Sequence, residues 1–197
     1  MAQDSSIPYF WETRYRSLAT HWDAGQAPTM LAEFLHGRPP VGPVLIPGCG
    51  SGYEVRAFCE AGWDVTGIDF SLTAVERARD NCGPWADRVQ LADFFNYFQQ
   101  QTDFSLIYER TFLCALPRQR WAAYVRRVTE LLRPGGRLVG FFFFDDNAKG
   151  PPFGLLPGQQ VELFGPAFTL VEERSVPADQ SVAVLAGRER WQMWEKL

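Results

Sequence analysis

Residues Val44-Leu45-Ile46 run straight into Pro47-Gly48-Cys49-Gly50-Ser51-Gly52, and this junction limits the folds open to the chain more than any other stretch. A short apolar run of this kind reads as a strand buried on both faces. Glycines at alternate positions keep side chains out of the turn that follows, so a ligand can approach the backbone. A helix beginning near Tyr53 then offers unpaired N–H groups and the positive end of its dipole to an anionic group. In an open α/β sheet, ligands bind in the crevice beyond the carboxyl end of such a strand. Taken alone, the triplet also suits a simple tight turn.

Strand and helix alternate beyond the turn. The pattern predicts a helix over Tyr53 to Ala61, a strand from Trp63 to Asp69, and a helix capped by Ser71 and running to about Asn81. Short strands follow at Arg88 to Leu91 and Phe104 to Tyr108. Apolar residues at helical spacing (Trp121, Tyr124, Val125, Val128, Leu131, Leu132) predict a helix from Pro117 to Leu132, stopped by Arg133-Pro134-Gly135-Gly136. Arg137 to Phe144 then reads as a buried strand. After a loop at Gly150-Pro151-Pro152, a short helix is expected at about Pro157 to Phe164, and alternating strands at Phe168 to Val176 and Arg190 to Lys196. The predicted fold class is α/β: a Rossmann-like, mostly parallel seven-stranded sheet with helices on both faces and an antiparallel C-terminal strand pair. Residues 1–40 carry Tyr9, Phe10, Trp11, Tyr15, Trp22 and Phe34, which suits either a helical lid over a ligand site or a helix docked on the sheet. A single domain over 1–197 is expected, with that aromatic segment preceding a core at 41–197.

Composition narrows the function. A chain that is 46% hydrophobic and 21% charged can bury a sizeable core, which excludes disorder. Its longest apolar run, Leu138 to Phe144, is too short to cross a bilayer, and Met1 to Pro8 has neither a basic nor an apolar region, so a cytoplasmic protein without membrane partners is expected. Nineteen basic residues against twenty-three acidic ones, with no basic cluster longer than Arg126-Arg127, argue against nucleic acid as a partner. Cys49, Cys59, Cys82 and Cys114 form no C-x-x-C pair, and His21 and His36 stand apart from any second ligand, so no metal or redox centre is expected. Chain length and the lack of a dimerisation segment favour a monomer.

Acids recur where the crevice needs them. Asp69 closes the second predicted strand, placed to accept hydrogen bonds from ribose hydroxyls, and Asp93 follows the third, placed to accept from an exocyclic amine with Phe94 beside the base. This ordered set implies a nucleoside ligand. Nicotinamide sites favour G-x-G-x-x-G, whereas Gly48, Gly50 and Gly52 form G-x-G-x-G with Tyr53 in the sixth position. S-adenosylmethionine is therefore the favoured cofactor. Leu132-Arg133-Pro134-Gly135-Gly136 also looks like the turn before the fifth strand of class I methyltransferases.

Four segments narrow the reading. Phe10-Trp11-Glu12, Trp22-Asp23-Ala24-Gly25-Gln26, Val44 to Gly50 and Thr111-Phe112-Leu113-Cys114-Ala115-Leu116 together resemble the thiopurine S-methyltransferase superfamily, above all its thiol and halide methyltransferase branch. The likeness runs from about Tyr9 to Trp194 and includes Gly150-Pro151-Pro152-Phe153 and Gly187-Arg188-Glu189. It implies a class I methyltransferase fold and transfer of a methyl group from S-adenosylmethionine to a small soft nucleophile, foremost a thiol. It implies that Trp11 and Trp22 enclose the cofactor, that Gly48 with Cys49, Gly50 and Gly52 approaches its methionine part, that Asp69 and Phe70 hold the ribose, that Asp93 and Phe94 read the adenine, and that Tyr108 lies beside them. Tyr15 replaces a tryptophan of related thiol methyltransferases, and Glu109-Arg110 replaces their usual Asp-Tyr. Those two residues are the candidate catalytic pair. Tyr15, Arg110 and Phe153 are candidate acceptor contacts, with Arg110 able to bind an anionic acceptor, to lower a thiol pKa, or simply to pair with Glu109 or another acid. A halide, metalloid, oxygen or nitrogen acceptor, a nicotinamide-dependent oxidoreductase, and a non-catalytic nucleoside-binding domain are the alternatives.

Overall fold

The computed structural model describes residues 4–97 and 103–197. Its strands are β1 (Val44–Pro47), β2 (Val65–Asp69), β3 (Val89–Leu91), β4 (Phe104–Arg110), β5 (Leu132–Phe143), β6 (Phe168–Ser175) and β7 (Glu189–Lys196). They form one sheet in the order β3-β2-β1-β4-β5-β7-β6. Pairing is parallel from β3 through β5, and β7 runs antiparallel to both β5 and β6. From β1 the chain moves outward to β2 and β3, then returns to place β4 on the other side of β1. That reversal opens a crevice between the carboxyl ends of β1 and β4.

Helices α3 (Tyr53–Glu60), α4 (Leu72–Cys82), α5 (Trp121–Leu131) and α6 (Gln159–Phe164) cover the sheet. Alternation along the strands separates two cores. Val44, Ile46, Leu106 and Tyr108 pack with Val55, Phe58 and Val75 of α3 and α4, while Leu45, Ile107, Leu138 and Phe142 pack with Tyr124 and Val128 of α5 and Phe164 of α6. No helix among the described residues is long and apolar enough to cross a membrane.

Every predicted strand and core helix is present, and the differences lie at their ends. The helix expected from Pro117 begins at Trp121, because Pro117 is extended (φ −54°, ψ 142°) and Arg118–Arg120 form a 3₁₀ turn. β5 begins at Leu132 rather than Arg137. Pro134-Gly135-Gly136 does not end the pairing but bulges out of it, Phe104 facing Leu132 and Leu106 facing Arg137. β4 continues past Tyr108 to Arg110, and β2 starts at Val65 rather than Trp63.

The aromatic N-terminal segment divides into two parts that pack differently. Helix α2 (Thr29–Leu35) buries Met30, Leu31, Phe34 and Leu35, and Phe34 lies 5.5 Å from the Trp191 ring, so it is docked on the sheet. Helix α1 (Pro8–Arg16) buries only Phe10 and Tyr15 and lies over the crevice.

Gly52 ends the turn after β1 with φ +79°, and a Cβ there would stand 2.8 Å from the Ala78 Cβ of α4. Gly62 has the same φ with nothing within 4 Å. Gly62→Ala is therefore expected to cost about 1 kcal/mol of left-handed strain. Gly52→Ala adds overpacking and should cost about 3 kcal/mol, a difference that urea unfolding of the two variants will measure.

Candidate active site

Beyond the strand ends lies a cavity of about 900 Å³. Gly48, Asp69, Phe70, Asp93 and Phe94 form its floor, at the carboxyl ends of β1, β2 and β3. Trp11 and Tyr15 of α1, with Trp22 of the following loop, form its roof. Trp22 organises that roof: its ring meets Trp11 edge-on at 5.0 Å and Tyr15 at 5.7 Å, and its Nε1 donates to the Tyr15 hydroxyl at 3.4 Å. Phe112, Cys114, Leu116, Pro151, Pro152 and Leu185 make a largely apolar far wall. A Cβ at Gly48 would run into the Phe112 ring, so only glycine lets floor and wall meet there.

Asp69 is the pivot of the floor. Its Oδ2 accepts from Gly50 N–H at 3.1 Å and its Oδ1 from Ser71 N–H at 2.9 Å. Burial pushes its pKa up to about 6 against those hydrogen bonds. Asp93 caps the short turn at Phe94–Asn96, accepting from Phe95 N–H at 3.0 Å and Asn96 Nδ2 at 2.7 Å. Phe94 is buried edge-on against Phe112, with ring centroids 5.3 Å apart.

Behind the glycine turn a second, smaller cavity of about 70 Å³ is lined by Asp23, Gly48, Cys49, Gly50, Tyr108 and Arg110, among others. Arg110, expected beside the acceptor, lines this smaller cavity and not the larger one. Its Nε lies 3.6 Å from Glu54 Oε1, and its guanidinium sits over the Phe141 ring, 4.5 Å from the centroid. The pairing with another acid is thus with Glu54, whose carboxyl burial pushes up and Arg110 pulls back. Arg110 Nη1 and the Tyr108 hydroxyl are buried without a hydrogen-bond partner among the described residues.

The catalytic expectation for Glu109 does not stand. Alternation at the end of β4 sends Tyr108 and Arg110 to one face of the sheet and Glu109 to the other. Its Oε1 accepts from Phe112 N–H at 2.8 Å and Leu113 N–H at 2.9 Å, and its Oε2 from the Tyr124 hydroxyl at 2.7 Å. It lines neither cavity and instead braces the turn that carries Phe112 and Cys114. Phe153 is also displaced from its expected place. Gly150, Pro151 and Pro152 face the large cavity, whereas the Phe153 ring folds back over Gly150 and its N–H donates to Cys114 O. Gly52 lines neither cavity and serves as the left-handed cap of α3. Sequence reasoning missed Glu54, Asp23 and His21 as cavity residues. Asp23 accepts from Ser51 Oγ at 2.5 Å and lies in the Trp22 to Gln26 segment that carries the resemblance, whereas His21 faces the large cavity and stands in no spacing that marks it.

Burial raises the Glu109 pKa to about 7 despite the bonds from Leu113, Tyr124 and Phe112. A carboxyl raised above its unfolded value holds its proton longer in the folded state, so stability falls as pH rises from about 4.5 to 7 and is level above that. Glu109→Gln removes this slope while keeping an acceptor for the two N–H groups. Its stability relative to the parent should rise by the order of 2 kcal/mol between pH 5 and pH 7.5, read from urea midpoints.

Residues 7–197 match the thiopurine S-methyltransferase family. The chain is 30% identical to a probable thiol methyltransferase 2 of Arabidopsis thaliana over 196 residues, covering 94% of this chain and 84% of that protein. It is 29% identical to thiocyanate methyltransferase 1 of Brassica oleracea, covering 95% and 84%. Among solved structures, a Burkholderia thailandensis 1,6-didemethyltoxoflavin N1-methyltransferase aligns with a TM-score of 0.76 at 21% identity, over 98% of this chain and 88% of that one. Of the two cofactor layouts that the crevice shares, the match over nearly the whole chain selects the methyltransferase. The chain belongs to the thiopurine S-methyltransferase family of S-adenosylmethionine-dependent methyltransferases.

Proposed function

We propose that the whole chain works as one domain that moves the methyl group of S-adenosylmethionine to an organic thiol. One observation carries this reading: a continuous cavity of about 900 Å³ that begins at Asp69 and Asp93 and ends at an apolar wall of Phe112, Cys114, Pro152 and Leu185. Such a volume lies near the upper end of the roughly 300–1,000 Å³ range of small-molecule sites, which leaves room for an acceptor beside the cofactor. The remaining space suits an aromatic or other organic thiol, and a halide or bisulfide would leave most of it unfilled. The probable thiol methyltransferase among the plant relatives points the same way, while the thiocyanate methyltransferase names a smaller sulfur acceptor.

In this reading the ribose hydroxyls donate to Asp69, and the adenine lies by Phe70 and Phe94 with its amine towards Asp93. The amino-acid tail enters the small cavity, where Arg110 Nη1 is free to meet its carboxylate and Asp23 to meet its ammonium. The sulfonium then lies beneath Trp22 and Trp11, whose ring faces favour a cation. S-adenosylmethionine supplies the activated methyl group. The protein's part is to align a thiolate with it and keep water away, and such positioning supplies much of the rate. Tyr15 and the Gly150 to Pro152 loop face the acceptor, and residues 1–40 contribute the roof through α1. We place the protein in the cytoplasm, a reading supported by its four free cysteines, and take it to act as a monomer.

Mass spectrometry of S-adenosylhomocysteine formation with aromatic thiols, bisulfide, thiocyanate, iodide and a phenol tests the reaction. Product should form fastest with an aromatic thiol, and turnover confined to iodide or the phenol would overturn the proposal. Three further outcomes test the site. Asp69→Ala should abolish cofactor binding in calorimetry. Because the ionised Asp69 accepts better from both hydroxyls, affinity for S-adenosylhomocysteine should fall as pH drops below about 6. Arg110→Met should weaken S-adenosylhomocysteine at least tenfold and leave 5′-methylthioadenosine, which lacks the amino-acid tail, unchanged. Equal losses for the two ligands would remove Arg110 from the tail site.

A further inference from the structure

Glu12 reaches across to a helix sixty residues further along the chain. Its carboxylate accepts from Ser71 Oγ at 2.7 Å, Thr73 N–H at 3.1 Å and Thr73 Oγ1 at 2.7 Å. The first turn of α4 thereby gains an anion at the positive end of its dipole. The helix does not need Glu12 as a cap, because Ser71 Oγ already accepts from Ala74 N–H at 3.2 Å. Helix α1 is the element with more to gain. It is nine residues long, has no side-chain N-cap, and buries only Phe10 and Tyr15, and an isolated helix of that length is marginal. Besides Glu12, Arg77 ties it down by donating to Tyr15 O at 3.3 Å. Yet this helix carries Trp11 and Tyr15, the roof of the large cavity.

The same turn holds both lid and floor. Ser71 donates its N–H to Asp69 Oδ1 and its hydroxyl to Glu12. We infer that Glu12 is a positioning residue, a latch that holds α1 closed over the cofactor and sets how fast cofactor and product leave. The inference rests on the reading of the large cavity as the cofactor's seat. The ion pair of Glu12 with Arg16, at 2.9 Å, adds little because the Arg16 side chain lies largely in solvent.

Stopped-flow tryptophan fluorescence of S-adenosylhomocysteine release tests the latch, since Trp11 and Trp22 line the cavity. Glu12→Ala should release the ligand at least tenfold faster. Glu12→Gln, whose amide oxygen still accepts from Thr73, should restore most of the loss. Trypsin should cut after Arg14 and Arg16 faster in Glu12→Ala, with S-adenosylhomocysteine slowing the cut. Should Glu12→Ala fail to fold, Thr73→Val removes one donor and should speed release about threefold at unchanged Tm. Release within twofold of the parent in a folded variant, or Gln as impaired as Ala, overturns the latch. Asp69→Ala separates the two readings. If it abolishes binding while Glu12→Ala releases normally, the latch fails and the cavity reading stands; if it leaves binding intact, the cavity reading fails and the latch with it.

Discussion

The carboxylate of Asp69 accepts one N–H from the turn after β1 and one from the turn after β2, and the geometry of the whole crevice follows from those two bonds. A buried carboxylate without partners would be costly. Here the partners are backbone groups at the ends of two adjacent parallel strands, so satisfying the charge also fixes the distance between the turns. Gly50 is held with its N–H inward, and Ser71 is held where it can cap α4. The price is a proton affinity well above that of an ordinary aspartate, which a ligand donating two hydroxyls to the carboxylate relieves.

Strand alternation at the end of β4 separates the charges of the site. Tyr108 and Arg110 face the glycine turn and α3, where Arg110 meets Glu54. Glu109, between them, faces α5 and is consumed by Phe112, Leu113 and Tyr124. Three consecutive polar side chains thus serve two ends: one carboxylate stiffens the wall that the acceptor would touch, and one guanidinium is kept for the small cavity. Thr111, at φ +59°, makes the sharp turn between β4 and that wall, and the bonds to Glu109 hold it in a conformation that threonine rarely adopts.

The N-terminal segment is divided by how much apolar surface each part can bury. α2 places four apolar side chains in the core beside Trp63 and Trp191. α1 buries two and depends on polar ties to α4. The part of the chain that roofs the cavity is therefore the less firmly packed of the two.

The strand at Val44–Pro47, the glycine turn, the acids at Asp69 and Asp93 and the amphipathic helix over Trp121–Leu131 were legible in the sequence, because each is a local signal: an apolar run, missing side chains, a strand-end charge, a helical period. The bulge at Pro134-Gly135-Gly136 was not, since a turn signal looks the same whether pairing resumes beyond it or stops. Nor was the fate of Glu109, Arg110 and Phe153. Which face of β4 each side chain takes depends on strand register, and whether its atoms stay available depends on neighbours such as Tyr124, Glu54 and Gly150, brought in from distant parts of the chain. The sequence by itself determined the fold class through periodic patterns along the chain, and the family and the kind of ligand through short motifs that stand in a recognisable order. Tertiary structure alone decided which polar groups are spent on holding the turns and which remain for chemistry, because hydrogen-bond partners are allotted in space.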